Sequence, residues 1–127
     1  MRTLTNFGLL LISIILGAIT IPIGFAANFV ILFIKANFKA WWRRLGDYFL
    51  IFAVAIDVTG NVALGPLLNL ILITKGGYKF GNRKETISSV LGKNKKTMTL
   101  KPLGSWLSNV LDKIDPNHVL NAIDNNV

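Results

Sequence analysis

Apolar side chains run from Phe7 to Ile34 with no charge and a single amide, Asn28, over 28 residues. A bilayer crossing needs about 20 apolar residues at 1.5 Å each. The segment 7–34 therefore predicts a membrane-spanning helix, with length to spare for tilting or for a kink at Pro22, whose ring removes a backbone donor. Two other patterns compete. A cleaved signal peptide has an apolar stretch of about 7–15 residues before a small-residue site, whereas here the run continues through Gly24-Phe25-Ala26-Ala27. A re-entrant hairpin folded at Ile21-Pro22-Ile23-Gly24 would return to the side it came from. The expectation is a retained segment.

A second mostly apolar stretch covers 48–74, interrupted by Asp57, Gly60, Asn61, Gly65, Pro66 and Asn69. Asp57, Asn61, Gly65 and Asn69 recur every four residues, which on a helix makes one slowly drifting stripe. A carboxylate in hydrocarbon costs several kcal/mol, so such a stripe must face protein, water or another polar stripe. Between the two apolar stretches lie Lys35, Lys39, Arg43 and Arg44, with Trp41 and Trp42 among them. Indoles beside cations suit the headgroup level, which assigns Trp41, Trp42, Arg43 and Arg44 as membrane-interface residues. An ordinary basic loop with half-buried tryptophans is the alternative.

The remainder, 75–127, is polar. Asn82 stands three residues before Glu85, a capping-box spacing that predicts a helix over 83–91 ending at Gly92. Lys93, Lys95 and Lys96 then form a basic loop. Pro102 opens the clearest amphipathic helix, with Leu103, Trp106, Leu107, Val110, Leu111 and Ile114 at three- and four-residue spacing. Asp115 and Pro116 predict a last helix running to about Ile123. About fifty residues bury little core alone, so these apolar faces need another surface, and 48–74 is the available one.

Composition agrees with this pattern. Of the 127 residues 52% are apolar and 16% charged, with no cysteine and a net charge of +8. The missing thiols exclude a disulfide framework and a Cys-ligated zinc. Charge also bears on topology. Segments 35–44 and 75–84 each carry four basic residues. A second full span at 48–74 would put them on opposite sides, against the positive-inside rule. We therefore expect one membrane element, with 48–74 lying at the interface or packed on the C-terminal part. Hydropathy alone favours a two-span hairpin.

Little catalytic chemistry is legible. The single histidine, His118, excludes a multi-His zinc site, and no phosphate-binding glycine loop is present. Ser88 or Ser89 with His118 and Asp112 or Asp115 could be drawn as a triad, but no nucleophile-elbow motif supports it. Glu85, Ser88, Ser89 and His118 read as capping and surface groups, or as satisfiers of the Asp57, Asn61, Asn69 stripe. No cofactor or metal site is expected. The basic residues fit anionic headgroups better than nucleic acid, because aromatic and basic positions do not interleave.

Three stretches carry a resemblance: Leu64-Gly65-Pro66-Leu67-Leu68-Asn69 followed by Gly76-Gly77-Tyr78-Lys79-Phe80-Gly81-Asn82; Glu85-Thr86-Ile87-Ser88-Ser89-Val90-Leu91-Gly92-Lys93-Asn94; and Leu111-Asp112-Lys113-Ile114-Asp115-Pro116-Asn117-His118. Over roughly 55–123 the chain resembles a family of small tailed-phage and prophage proteins. It departs from that family at Lys84, where an Asp is usual, and at Val119, where many members have Cys. The resemblance implies viral origin and a helical fold, and it supplies no activity. The overall expectation is an all-α protein with a membrane anchor (1–44), a second apolar helix (45–74) and a small basic helical domain (75–127). It would be a non-enzymatic structural or host-interaction module of the host inner membrane or the virion, with a protein partner or a second copy. The competing classes are a holin-like two-span lysis protein, a membrane-linked protein that binds DNA or helps it enter, and a small enzyme.

Overall fold

The computed structural model describes residues 2–35 and 37–127. The described chain is all-α: α1 (Arg2–Lys35), α2 (Phe38–Ile71), α3 (Ile87–Lys96), α4 (Pro102–Ile114) and α5 (His118–Asn121). One antiparallel bridge joins Ile73 to Leu100. The chain divides into two compact units, one ending at Phe49 and one running from Leu50 to Val127, so α2 contributes to both.

In the first unit α1 passes through Pro22 without a break, which overturns the re-entrant hairpin. A proline inside an apolar helix removes one backbone bond, and the turns on either side hold the rest. Three polar side chains within its apolar run bond the preceding turn: Ser13 donates to the Leu9 carbonyl at 2.8 Å, Thr20 to Leu16 at 2.7 Å and the Asn28 amide to Gly24 at 2.9 Å. At 34 residues each, α1 and α2 are about 51 Å long, and both are long and apolar enough to cross a bilayer. α2 is capped by Asn37, whose side chain accepts from the Ala40 amide at 3.0 Å. The basic-aromatic segment is therefore the first turns of a helix and not a loop. Trp41 is buried, standing edge-on to Phe29 at 5.2 Å and Phe33 at 5.6 Å. Trp42 is exposed, as are Arg43 and Arg44.

The second unit is built around Leu68, Leu72, Ile73, Phe80, Val90, Leu91 and Val119, with Ile87, Leu100, Leu107 and Leu111 packed against them. The end of α2 thus supplies the apolar surface that the C-terminal helices need. Several local expectations are corrected. The helix foreseen over 83–91 spans Ile87–Lys96. Asn82 closes a tight turn, accepting from the Lys84 amide at 3.0 Å, and the cap is Thr86, which accepts from Ser89 at 3.0 Å. Gly92 does not end α3. It is buried mid-helix, where a Cβ would strike the Val119 carbonyl and the Ile123 side chain. Lys93, Lys95 and Lys96 consequently lie on the last turn of α3 instead of in a loop. The last helix starts later and is shorter than foreseen, because Asn117 adopts a left-handed conformation (φ 61°) that interrupts helical geometry after Pro116.

Candidate functional site

The polar stripe of α2 lies against the backbone of 80–88. Asp57 accepts from the Ile87 amide at 2.9 Å, and from the Ser88 amide at 3.4 Å and hydroxyl at 2.9 Å. A carboxylate from one helix therefore caps the first turn of another, where free amides and the helix dipole favour negative charge. Asn61 is fully buried and makes three bonds. Its amide donates to the Glu85 carbonyl at 2.7 Å and the Asn82 carbonyl at 3.1 Å, while its oxygen accepts from the Gly81 amide at 2.9 Å. Asn69 exchanges two bonds with the Phe80 backbone, at 2.8 and 3.2 Å. The two glycines of this zipper have steric reasons. A Cβ on Gly65 would come within 2.9 Å of the Gly81 Cα. Gly81 holds φ +114°, a conformation that side chains rarely adopt.

Beneath this zipper sits a buried ion pair. The Glu85 side chain is fully buried, with one oxygen 2.6 Å from both the Lys93 Nζ and the Ser89 hydroxyl, and the other 3.0 Å from the Tyr78 hydroxyl. Lys93 also lies 4.3 Å from the centre of the Tyr78 ring. Burial acts to lower the Lys93 pKa, but hydrogen bonding and attraction to Glu85 and Tyr78 outweigh it, and the net direction is upward. Ser89 further accepts from the Asp124 amide at 3.0 Å, which fastens the C-terminal tail.

Asp112 and Asn94 carry roles that the sequence reading missed. Asp112 pairs with Lys95 and accepts from the Val119 amide at 3.1 Å, so it caps α5 from α4. The Lys95 hydrogen bond is the chief cause that holds the Asp112 carboxyl below its ordinary value. Asn94 is buried and binds both the amide and the carbonyl of Tyr78 at 2.8 Å, as well as the Thr99 hydroxyl at 2.6 Å. A polar amide within an otherwise basic helix turn was the available signal.

His118 stands apart from the serines. Its Nδ1 lies 3.1 Å from Asp115, whereas Ser88 bonds Asp57 and Ser89 bonds Glu85. Among the described residues no hydrogen bond joins His118 to either serine. His118, Asp57, Ser88 and Lys84 do line one open groove of about 380 Å³, together with Leu50 and Val54. No three His, Asp or Glu side chains gather into a metal-binding cluster among the described residues. Of the three α3 lysines, Lys93 and Lys95 are each held by a carboxylate. They do not form a free phosphate-binding patch.

No family model, curated protein or solved structure matches this chain.

Proposed function

We propose that this chain is a phage-encoded, non-enzymatic membrane protein that anchors through α1 and presents its second unit to a protein partner at the host inner membrane. The observation that carries the anchor is α1 itself. None of its residues is buried, and leucine, isoleucine and phenylalanine side chains are exposed around it. Each such side chain is about 1.5–3 kcal/mol better off away from water, so a helix apolar on every side is at rest only among lipid or other protein. The phage context comes from the sequence resemblance alone.

The geometry of the second unit supports one crossing over two. Exposed Arg83 and Lys84 follow Asn82, whose carbonyl is bonded to Asn61 midway along the apolar run of α2. If α2 crossed completely, these cations would be carried toward the bilayer centre, at a cost of about 2.5–3.5 kcal/mol each on insertion scales. The same zipper counts against a holin-like pore, because the polar stripe that would face a lumen is occupied by the backbone of 80–88.

The test uses the absence of native cysteine. Lys39→Cys and Lys79→Cys, each in the full chain, are labelled with a membrane-impermeant maleimide in oriented membrane vesicles. Labelling from the same side is the expected result. Labelling from opposite sides would establish two crossings and overturn the single-anchor arrangement.

A further inference from the structure

α4 was expected to bury its whole apolar face. The structure divides that face in two. Leu107 and Leu111 pack on the core and Gly104 is buried. Leu103, Trp106 and Ile114 remain 47, 61 and 78% exposed, with half-buried Val110 between them. These four positions follow i, i+3, i+7, i+11 spacing, so they form one continuous shoulder along a 13-residue helix. Met98 is displayed just before it, 90% exposed on a backbone with φ 56°. A non-glycine residue at positive φ is uncommon, and here it carries an exposed apolar side chain.

We infer that this shoulder is a second membrane-contact surface, which lies in the plane of an anionic bilayer at headgroup level. Three observations name the occupant. First, exposed cations flank the shoulder in sequence: Lys96 stands two residues before Met98 and Lys113 one residue before Ile114. An exposed indole with lysines beside an apolar stripe is the composition of an in-plane interfacial helix. Second, the start of α4 is fastened to the end of α2. Lys101 donates from its amide to the Leu72 carbonyl at 2.8 Å and from its Nζ to the Leu70 carbonyl at 2.6 Å. Leu70 and Leu67, 67 and 50% exposed, therefore stand at the end of α2 where α4 begins. Third, the net charge of +8 favours an anionic surface over a second, equally positive copy of the chain.

This inference rests on the anchor reading, and the experiment separates the two. Single cysteines in the full chain, at Ile12, Trp106, Ile114 and Asn109, carry nitroxide labels. The protein is reconstituted in phosphatidylcholine vesicles with and without phosphatidylglycerol. Collision with lipid-dissolved oxygen is compared with collision with an aqueous nickel chelate. The expected result is oxygen-dominated relaxation at 12, 106 and 114, chelate-dominated relaxation at 109, and a loss of the oxygen preference at 106 and 114 when phosphatidylglycerol is omitted or when Lys96→Gln and Lys113→Gln are introduced together. A label at 12 in lipid with labels at 106 and 114 in water would overturn the inference and leave the anchor standing. A label at 12 in water would remove both. Dipolar broadening between copies at 106 would assign the shoulder to self-association and overturn the lipid occupant.

Discussion

Asn61→Ala removes the centre of the zipper between α2 and 80–88. Three bonds are lost, and two backbone groups have no replacement partner: the Glu85 carbonyl, which is buried, and the Gly81 amide, which stands on a more exposed residue. The Asn82 carbonyl retains the Glu85 amide at 3.2 Å. A buried unsatisfied backbone group costs about 1–3 kcal/mol. Taking the middle of that range for Glu85 and the low end for Gly81, where water can enter, gives a loss of about 3 kcal/mol. That loss corresponds to a 100- to 200-fold acceleration of exchange, at about 1.4 kcal/mol per tenfold. Native-state hydrogen exchange by mass spectrometry, on the full chain in detergent micelles, reads it directly. Peptides from 80–96 should accelerate by that factor while peptides from 9–20, in the other unit, stay unchanged. Asn61→Asp should be worse than Ala, because it keeps an acceptor for Gly81 but sets a charged oxygen against two carbonyls. A change below about threefold in 80–96, with helical content intact, would refute the zipper as a stabilising element.

Three further outcomes follow from the same unit. Gly92→Ala places a methyl against the Val119 carbonyl; it should cost about 3 kcal/mol or more, since backbone cannot move aside as a side chain can, and lower the Tm of the full chain in micelles. Glu85→Gln leaves the largely buried Lys93 without its counter-charge and should destabilise by about 3–5 kcal/mol. Because the Lys93 pKa is raised, the pair's contribution is complete below the ordinary value of 10.5 and is lost as pH climbs through the folded value, so the wild type should lose stability in strong alkali and the variant much less. Asp112 shows the opposite sense: its pKa is depressed, so its contribution is present above the ordinary value of 3.8 and disappears as pH falls through the folded value. Acid titration of the α5 amide protection, compared with Asp112→Asn, checks this.

The parts legible in the sequence were those set by local rules. α1 follows from an uninterrupted apolar run, and α4 from Pro102 at its first turn and apolar residues three and four apart. The four-residue recurrence of Asp57, Asn61, Gly65 and Asn69 marked a polar face but not what covers it, which is the backbone of 80–88. The misread parts depend on residues distant in sequence. α3 begins at Ile87 because Asp57, thirty positions earlier, caps it together with Thr86, and no local pattern outranks the Asn82–Glu85 spacing. Gly92 looks like a helix stop when the close approach of Val119 is unknown. The lysines of α3 looked free because their carboxylate partners, Glu85 and Asp112, are set by tertiary packing. The open shoulder of α4 was hidden for the same reason: periodicity shows which residues are apolar, and only packing shows which of them find a neighbour.

The proposed function requires α1 to reside in lipid while joined to the rest of the chain. Alkaline carbonate extraction of membranes carrying the full polypeptide measures this directly. Full-length chain retained in the membrane pellet is the predicted result; full-length chain released to the supernatant, or a pellet lacking residues 1–35 in what it retains, would contradict it.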